Sequence, residues 1–552
     1  MPLPNFAHPV VRLLAAWVLL IGVLAPAQAA GFGPLVTAAW LKAELPRGEI
    51  TLLDASATPA FRKGHIAGAA SADLYAYGIE QPTPEQMTRR LQSWGVSPGR
   101  RIVVYDTGGS MMATRLFHDL MHAGVPAQDL AILDGGLAAW QAAGGAVTQQ
   151  SAPPTPGTYR VTAFRDELRV KLDAFLLGSG DPAGHALVEA LEPSYYYGET
   201  KFFDRGGHVP NAVMLPAEDF YNADKTFKSP DEIRRLVAHL GLKPGQTVYT
   251  YCGGGVAASV PWFALKVLLG WPTVQLYRES QLEWLQDERR LPMWTWAAPA
   301  LQRDADWLNG YTNRMMRMFS VTKQSVIDVR PEAAYRQGHV PYALNIPAEL
   351  FREHLRDPAQ LAARLGPAGV NPAHEAVVVS DGGLNPRSAL AMLMLERVSQ
   401  KRVSMLLESV DEWGLRGLPL EKTPTVVGPR RSPMEITIPP VAYPASVKPG
   451  VVAGDPGDAA AAFPVVHLWA GTSAPAQAPA GTVVRLAYTE LLAAEGRPKP
   501  AAELWKILQK AGVPRYARVV AVADDPGEAA VAWAVLRMMG WTDVRVALPG
   551  GS

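Results

Sequence analysis

The sequence predicts an α/β protein made of tandem copies of one domain, each a parallel sheet flanked by helices. Three observations predict it. One ordered series of short motifs recurs along the 552 residues. Within each copy, β-rich runs alternate with segments of helical spacing, the pattern of parallel strand–helix–strand crossovers. Proline-rich stretches fall between copies, where joints belong. Length agrees, since at roughly 150 residues per domain the chain holds three or four.

Residues 1–30 stand apart. His8 and Arg12 precede an apolar run from Leu13 to Leu24, and Ala27-Gln28-Ala29 follows. Positive charge, a short apolar core and a small-x-small site together read as a secretory signal peptide, cleaved near Ala29 or Ala30. A periplasmic or secreted protein is expected; an uncleaved anchor is the rival reading. No later stretch has about 18 uninterrupted apolar residues, so no membrane contact is expected after cleavage.

The first repeat, 31–148, opens with Leu52-Leu53-Asp54-Ala55 and turns at Gly64-His65-Ile66-Ala67-Gly68-Ala69. Its strand Arg101 to Tyr105 runs into Asp106-Thr107-Gly108-Gly109-Ser110, helical spacing follows from Met111 to His122, and Asp134-Gly135-Gly136 with Trp140 closes it. The second, 160–292, has Ala186 to Glu189, then Gly207-His208-Val209-Pro210-Asn211-Ala212, then the strand Thr247 to Tyr251 and a loop at Cys252. Pro261 to Leu269 is helical in spacing, and Tyr277 to Trp284 ends the copy. The third, 305–421, has Val326 to Arg330, Gly338-His339-Val340-Pro341-Tyr342-Ala343, Val377 to Ser380 with Asp381-Gly382-Gly383, and Leu407 to Trp413. Spacing from the histidine to the loop is nearly constant across His65–Asp106, His208–Cys252 and His339–Asp381, and such fixed order outweighs any single motif. A degenerate fourth copy, 459–552, shows Val465 to Leu468, Val519 to Ala523 before Asp524-Asp525, a helix from Ala529 to Met539, a strand Val544 to Leu548, and Gly550-Gly551. Residues 422–458, rich in proline, read as an extended linker.

Composition is that of a folded protein: 48% hydrophobic, 19% charged, net charge +1. That balance gives no electrostatic case for nucleic acid or an anionic membrane as partner. Cys252 is the only cysteine, so the chain forms no internal disulfide, and the thiol was not kept as a structural staple. It stands at a strand end in Cys252-Gly253-Gly254-Gly255-Val256-Ala257-Ala258, ahead of a helix. Bare backbone lets several N–H groups converge on one sulfur, and the helix dipole favours a thiolate. A packing cysteine needs no such turn. Cys252 is therefore read as a nucleophile. Gly253, Gly254, Gly255, Val256 and Ala257 are expected to form the ring that holds the sulfur and an incoming anion. No Cys/His cluster offers a metal site, and the chemistry requires no cofactor.

Together, the Leu/Ile-Asp-Val/Ala strand, the Gly-His-Ile/Val turn, the strand-end cysteine loop and the Gly-Gly-x-x-x-Trp type of closing segment resemble the rhodanese-type sulfurtransferases. The likeness covers nearly all of the chain after residue 30, strongly in three repeats and weakly in the fourth. It implies tandem rhodanese-like domains and a persulfide relay. Cys252 would take a sulfane sulfur from a small donor, thiosulfate or 3-mercaptopyruvate, and pass it to cyanide or a thiol, including a protein thiol or sulfur carrier. Asp106 and Asp381 stand opposite Cys252, with Asp524 as a third. A carboxylate cannot carry a persulfide, so those repeats are expected to be silent, with a structural or partner-binding role.

The resemblance leaves the donor open. Thiosulfate-type loops carry a basic residue soon after the cysteine, and none occurs here before Lys266. Mercaptopyruvate-type loops are closer but carry serine where Gly254 stands. In that group, arginines ahead of the Gly-His turn bind the substrate carboxylate. Arg205 matches one such position as a bidentate clamp, while the other holds Tyr196 or Tyr197, with Lys201 nearby as a substitute. His208 is expected to stabilise its turn, and Glu189 to orient the site or cap a turn. A rhodanese-fold phosphatase or arsenate reductase would want an arginine where Ala258 stands. The remaining alternative is a non-catalytic sulfur carrier or protein-binding scaffold.

Overall fold

Four runs of parallel strands carry the architecture in the computed structural model, which describes residues 31–77, 81–430, 432, 434–474 and 481–548. The segment read as a signal peptide and the closing Gly550-Gly551 lie outside these residues. The chain divides into two compact units, one of 1–164 with 223–227 and one of 165–222 with 228–552.

The first unit holds one repeat. Its five parallel strands lie in the order Leu35–Val36, Leu130–Leu133, Arg101–Tyr105, Ile50–Asp54 and Ala70–Ser71. The three central strands are β-branched and leucine-rich and almost wholly buried, as a sheet covered on both faces requires. A small antiparallel pair, His65–Ile66 with Val147–Thr148, ties the Gly-His turn to the end of the repeat.

The second unit holds three sheets. In the second repeat the order is Ala212–Met214, His185–Glu189, Thr247–Tyr251, Val274–Tyr277 and Arg169–Val170, all parallel. The third repeats it as Leu344–Asn345, Gln324–Asp328, Glu375–Val379, Arg402–Leu406 and Gln302–Arg303. The fourth has Thr482–Arg485, Val465–Trp469, Arg518–Val522 and Val544–Val546. The chain leaves His185–Glu189 toward one edge and Thr247–Tyr251 toward the other. The crevice between their carboxyl ends is the topological switch point, where open α/β sheets place their ligands.

The Gly-His turns share one construction. His65, His208 and His339 are fully buried. Each stacks on an aromatic ring, Phe61, Tyr196 and Tyr335, at 3.8, 3.6 and 3.8 Å. Each Nδ1 meets that residue's carbonyl, at 2.9, 2.8 and 3.0 Å.

The proline-rich joint is not a free linker throughout. Val451 and Val452 are buried, and Val452 pairs in parallel with Val546, supplying the missing edge of the fourth sheet. Asp455 forms a two-bonded pair with Arg397 of the third repeat, at 2.8 and 2.6 Å. Two residues of edge pairing are too short to leave a period in a proline-rich sequence, which is why composition hides them.

Third and fourth repeats share one core. Helices Pro386–Arg397 and Pro526–Met538 are apolar on nearly every side and pack against each other, burying both. Contact is close enough that a Cβ on Gly527 would stand 2.5 Å from the Pro386 carbonyl oxygen. Gly527→Ala is expected to cost about 1–3 kcal/mol by overpacking, read as a lower urea midpoint. Gly245→Ala, whose added methyl meets open space, should stay within about 0.5 kcal/mol of the parent.

Candidate active site

Cys252 follows directly on the strand Thr247–Tyr251, whose last residue is paired with Glu189 at the end of the first strand. The thiol is free and 2% exposed. The Gly255 N–H donates to Sγ at 3.1 Å, and the N–H groups of Ala258 and Gly254 also point at it. Cys252 is itself held by its backbone. Its N–H donates to Ser280 Oγ at 3.1 Å, and its carbonyl accepts from the Gln281 N–H at 3.0 Å. Gly255 has a φ of 74°, and a Cβ there would lie 2.1 Å from the Arg278 carbonyl oxygen, so only glycine closes the loop onto the neighbouring segment.

The other expected ring residues shape the loop in different ways. Gly253 is pressed by the Phe202 ring, which a Cβ would meet at 2.4 Å, and its carbonyl accepts the Leu282 N–H. The carbonyls of Val256 and Ala257 accept the N–H groups of Ser259 and Val260. They start a short helix, Ser259–Trp262, that continues as a π-helix over Phe263–Leu268, an irregularity frequent at functional sites.

The electrostatics differ from the expectation of a favoured thiolate. Burial, the largest cause, pushes the Cys252 thiol above its ordinary pKa, the Glu189 charge adds to this, and the three N–H groups oppose it. Glu189 is fully buried and pushed up to about 8. Its Oε2 accepts from Gln281 Nε2 at 3.1 Å, and the Tyr251 hydroxyl is a further partner. The Tyr251 hydroxyl also accepts the Val209 N–H at 3.0 Å, joining this pair to the Gly-His turn. His208 Nδ1 donates to the Tyr196 carbonyl, and burial lowers the ring's pKa to about 4, so it stays neutral as a turn residue.

Residues ahead of the Gly-His turn are engaged with backbone carbonyls. Arg205 Nη1 donates to the Leu291 carbonyl at 2.6 Å and Nη2 to the Leu285 carbonyl at 3.1 Å. Those two donors bind the end of helix Ser280–Gln286 and the segment after it, while Nε has no hydrogen-bond partner among the described residues. Tyr196 and Tyr197 are likewise engaged, their hydroxyls donating to the carbonyls of Ala212 and Met539. One sequence expectation needs correction, the alignment of Asp381 and Asp524 with Cys252. In the sheets, Asp54 faces Tyr105, Glu189 faces Tyr251, Asp328 faces Val379 and Trp469 faces Val522. The residues following are Asp106, Cys252, Ser380 and Ala523, so Asp381 and Asp524 lie one place further along. Ser380 and Ala523 are buried like Cys252, whereas Asp381 is half exposed and 3.4 Å from Arg387. Asp106 does take the thiol's place. Its carboxylate accepts the N–H groups of Gly108 and Ala113 at 2.8 and 2.9 Å, and burial raises it to about 6.

Sequence reasoning missed Ala258, Ser280 and Gln281. Ser280 holds a φ of 55°, where the first repeat has Gly136 at 56°. A serine at the position of a motif glycine was the available signal. Among the described residues, no group of three or more His, Cys, Asp or Glu side chains is placed to hold a metal ion, and no helix is long and apolar enough to cross a membrane.

The rhodanese-like domain family matches residues 37–143, 179–287 and 312–415. A protein of Pseudomonas aeruginosa named "probable 3-mercaptopyruvate sulfurtransferase" is 33% identical over 279 residues, 46% of this chain and 96% of that one. The sulfur carrier protein TtuD of Thermus thermophilus is 28% identical over 272 residues, 45% of this chain and 93% of its own. Among solved structures, an anaerobic ergothioneine biosynthesis enzyme from Chlorobium limicola aligns with a TM-score of 0.44 at 26% identity, over 47% of this chain and 70% of that chain.

Glu189 yields a test of the site. Its folded pKa of about 8 lies above the ordinary 4.5, so the folded state holds the proton more tightly than the unfolded chain. That contribution to stability is complete below the unfolded value and is lost as pH rises through the folded one. In thermal melts Glu189→Gln, which cannot ionise, is therefore expected to gain on the parent between about pH 5 and about pH 9. A difference independent of pH would refute the buried, protonated carboxyl.

Proposed function

This chain belongs to the rhodanese-like domain family, and from that premise we propose that its second repeat is a sulfurtransferase centre working through a Cys252 persulfide. The observation that carries the reading is the convergence of three backbone N–H groups on the only thiol in the chain. Such a ring stabilises an anionic sulfur, whether thiolate or persulfide, and receives an anionic donor.

The atoms balance for either donor. With 3-mercaptopyruvate, the Cys252 thiolate attacks the donor sulfur, an S–S bond forms, the C–S bond breaks, and the carbon fragment leaves as an enolate that takes a proton to give pyruvate. With thiosulfate, attack on the outer sulfur releases sulfite. Cyanide or an acceptor thiolate then attacks the outer sulfur of the persulfide. The S–S bond to Cys252 breaks, the thiolate returns, and thiocyanate or the acceptor's persulfide departs. Gly253, Gly254, Gly255, Val256 and Ala257 line the attack path in this reading, with the Ala258 N–H completing the ring. Export to the periplasm or exterior belongs to the same proposal, supported by the composition of residues 1–30.

A second reading, a sulfur carrier without small-molecule turnover, has one finding in its favour, a relative named as a sulfur carrier protein. Loading the purified protein with thiosulfate or 3-mercaptopyruvate and weighing the Cys252 peptide separates the two. A gain of one sulfur atom, with thiocyanate released on adding cyanide, is expected for the enzyme. No adduct with either donor favours the carrier. Cys252→Ser is expected to abolish thiocyanate formation, since no second cysteine exists to replace it; residual turnover would refute a single persulfide site.

A further inference from the structure

The amino edge of the third sheet, opposite the end that carries Ser380, holds a cavity of about 510 Å³. That volume falls within the range of small-molecule sites. It lies at the first residues of Gln324–Asp328 and beside His374, just ahead of Glu375–Val379, with Ile436 and Ile438 on an apolar wall. Its charged groups are of one sign. Arg317, Lys323 and Arg430 line it, and among the described residues no aspartate or glutamate does. Arg430 Nη2 donates to the Arg317 and Met318 carbonyls and so orders the segment that bears Arg317.

Three polar atoms of residues lining this cavity are buried with no hydrogen-bond partner among the described residues: Arg317 Nη2, Thr322 Oγ1 and Thr437 Oγ1. Both threonines are more than nine-tenths buried, at 6% and 7% exposure. The rest of the Arg317 guanidinium is fixed, with Nε on the Tyr311 carbonyl and Nη1 on that of Gln324. Leaving one buried donor unmet costs about 1–3 kcal/mol. Three such atoms at the wall of one cavity, beside cations and, among the described residues, without a lining carboxylate, suit oxygen atoms bearing negative charge. Two hydroxyls, one guanidinium N–H and the Lys323 ammonium are donors enough for the three terminal oxygens of a tetrahedral head. The apolar wall beside them suits a hydrocarbon body.

We propose that this cavity binds a small organic anion with a phosphate or sulfonate head and an apolar body, independently of the chemistry at Cys252. Calorimetric titration of the full chain with phenyl phosphate tests it, with inorganic phosphate as the smaller probe. Saturable binding at one site is expected, tighter for phenyl phosphate. Lys323→Gln and Thr437→Val should each weaken it about tenfold, the effect of one charge-assisted hydrogen bond. Cys252→Ser should leave it unchanged. Absence of saturable heat with either probe would overturn the proposal. So would equal affinity for the two probes, or binding that Cys252→Ser removes while Lys323→Gln and Thr437→Val retain it.

Discussion

Parallel pairing of His185–Glu189 with Thr247–Tyr251 is the constraint from which the candidate site follows. Register sets Glu189 opposite Tyr251, and the next residue, Cys252, must emerge at the carboxyl end of the sheet. A slip of one residue would turn every side chain of the strand to the other face. Apolar burial forbids it: Val188, Val248 and Tyr251 show no exposure. The Tyr251 hydroxyl holds the Val209 N–H, so the Gly-His turn hangs from the same strand. Position of the thiol, its carboxyl neighbour and the turn are thus one packing solution.

What the loop holds differs from repeat to repeat, and the differences obey one need. A turn with several inward N–H groups wants an acceptor at its centre. The second repeat supplies sulfur. The first supplies the Asp106 carboxylate, which accepts two of those groups and is itself partly neutralised by burial. The third supplies the Ser380 hydroxyl, which accepts the Gly382 N–H at 3.3 Å and donates to the Gly383 carbonyl at 2.9 Å. The cradle therefore outlives the chemistry, since its backbone needs an acceptor whether or not sulfur is transferred.

Much of this was legible in the residues. Strand runs, the three Gly-His turns and the one thiol at a glycine loop follow from periodicity and repetition, both local. The losses share a cause. Asp381-Gly382-Gly383 looks like Asp106-Thr107-Gly108-Gly109, so the eye aligns the aspartates; only pairing with Asp328 shows that Ser380 takes the place. Pairing partners are non-local and leave no spacing signal. The place of Arg205 alone suggests a carboxylate clamp, yet two of its donors meet carbonyls of Leu285 and Leu291, about eighty residues on. A residue's type and place do not tell what it faces. The raised pKa of Cys252 was missed for a related reason: glycines advertise the N–H donors, but the burial that outweighs them is made by residues from the whole unit.

The third and fourth repeats, which carry no cysteine, have a packing role in the second unit. Helices Pro386–Arg397 and Pro526–Met538 are apolar all round, so neither can face water without the other. The fourth repeat in turn reaches the repeat with the thiol. Tyr197, beside the Gly-His turn, is fully buried and donates to the Met539 carbonyl. Arg515 pairs with Asp219 at 3.0 Å, and the Tyr516 hydroxyl donates to the same carboxylate at 2.6 Å. Tyr196, its neighbour, is the ring on which His208 stacks and the carbonyl to which His208 donates. The two tyrosines ahead of the Gly-His turn thus serve docking and turn-building. Tyr197 fastens the fourth repeat to this segment, so loss of that repeat would strip a buried hydroxyl of its partner one residue from the histidine's support.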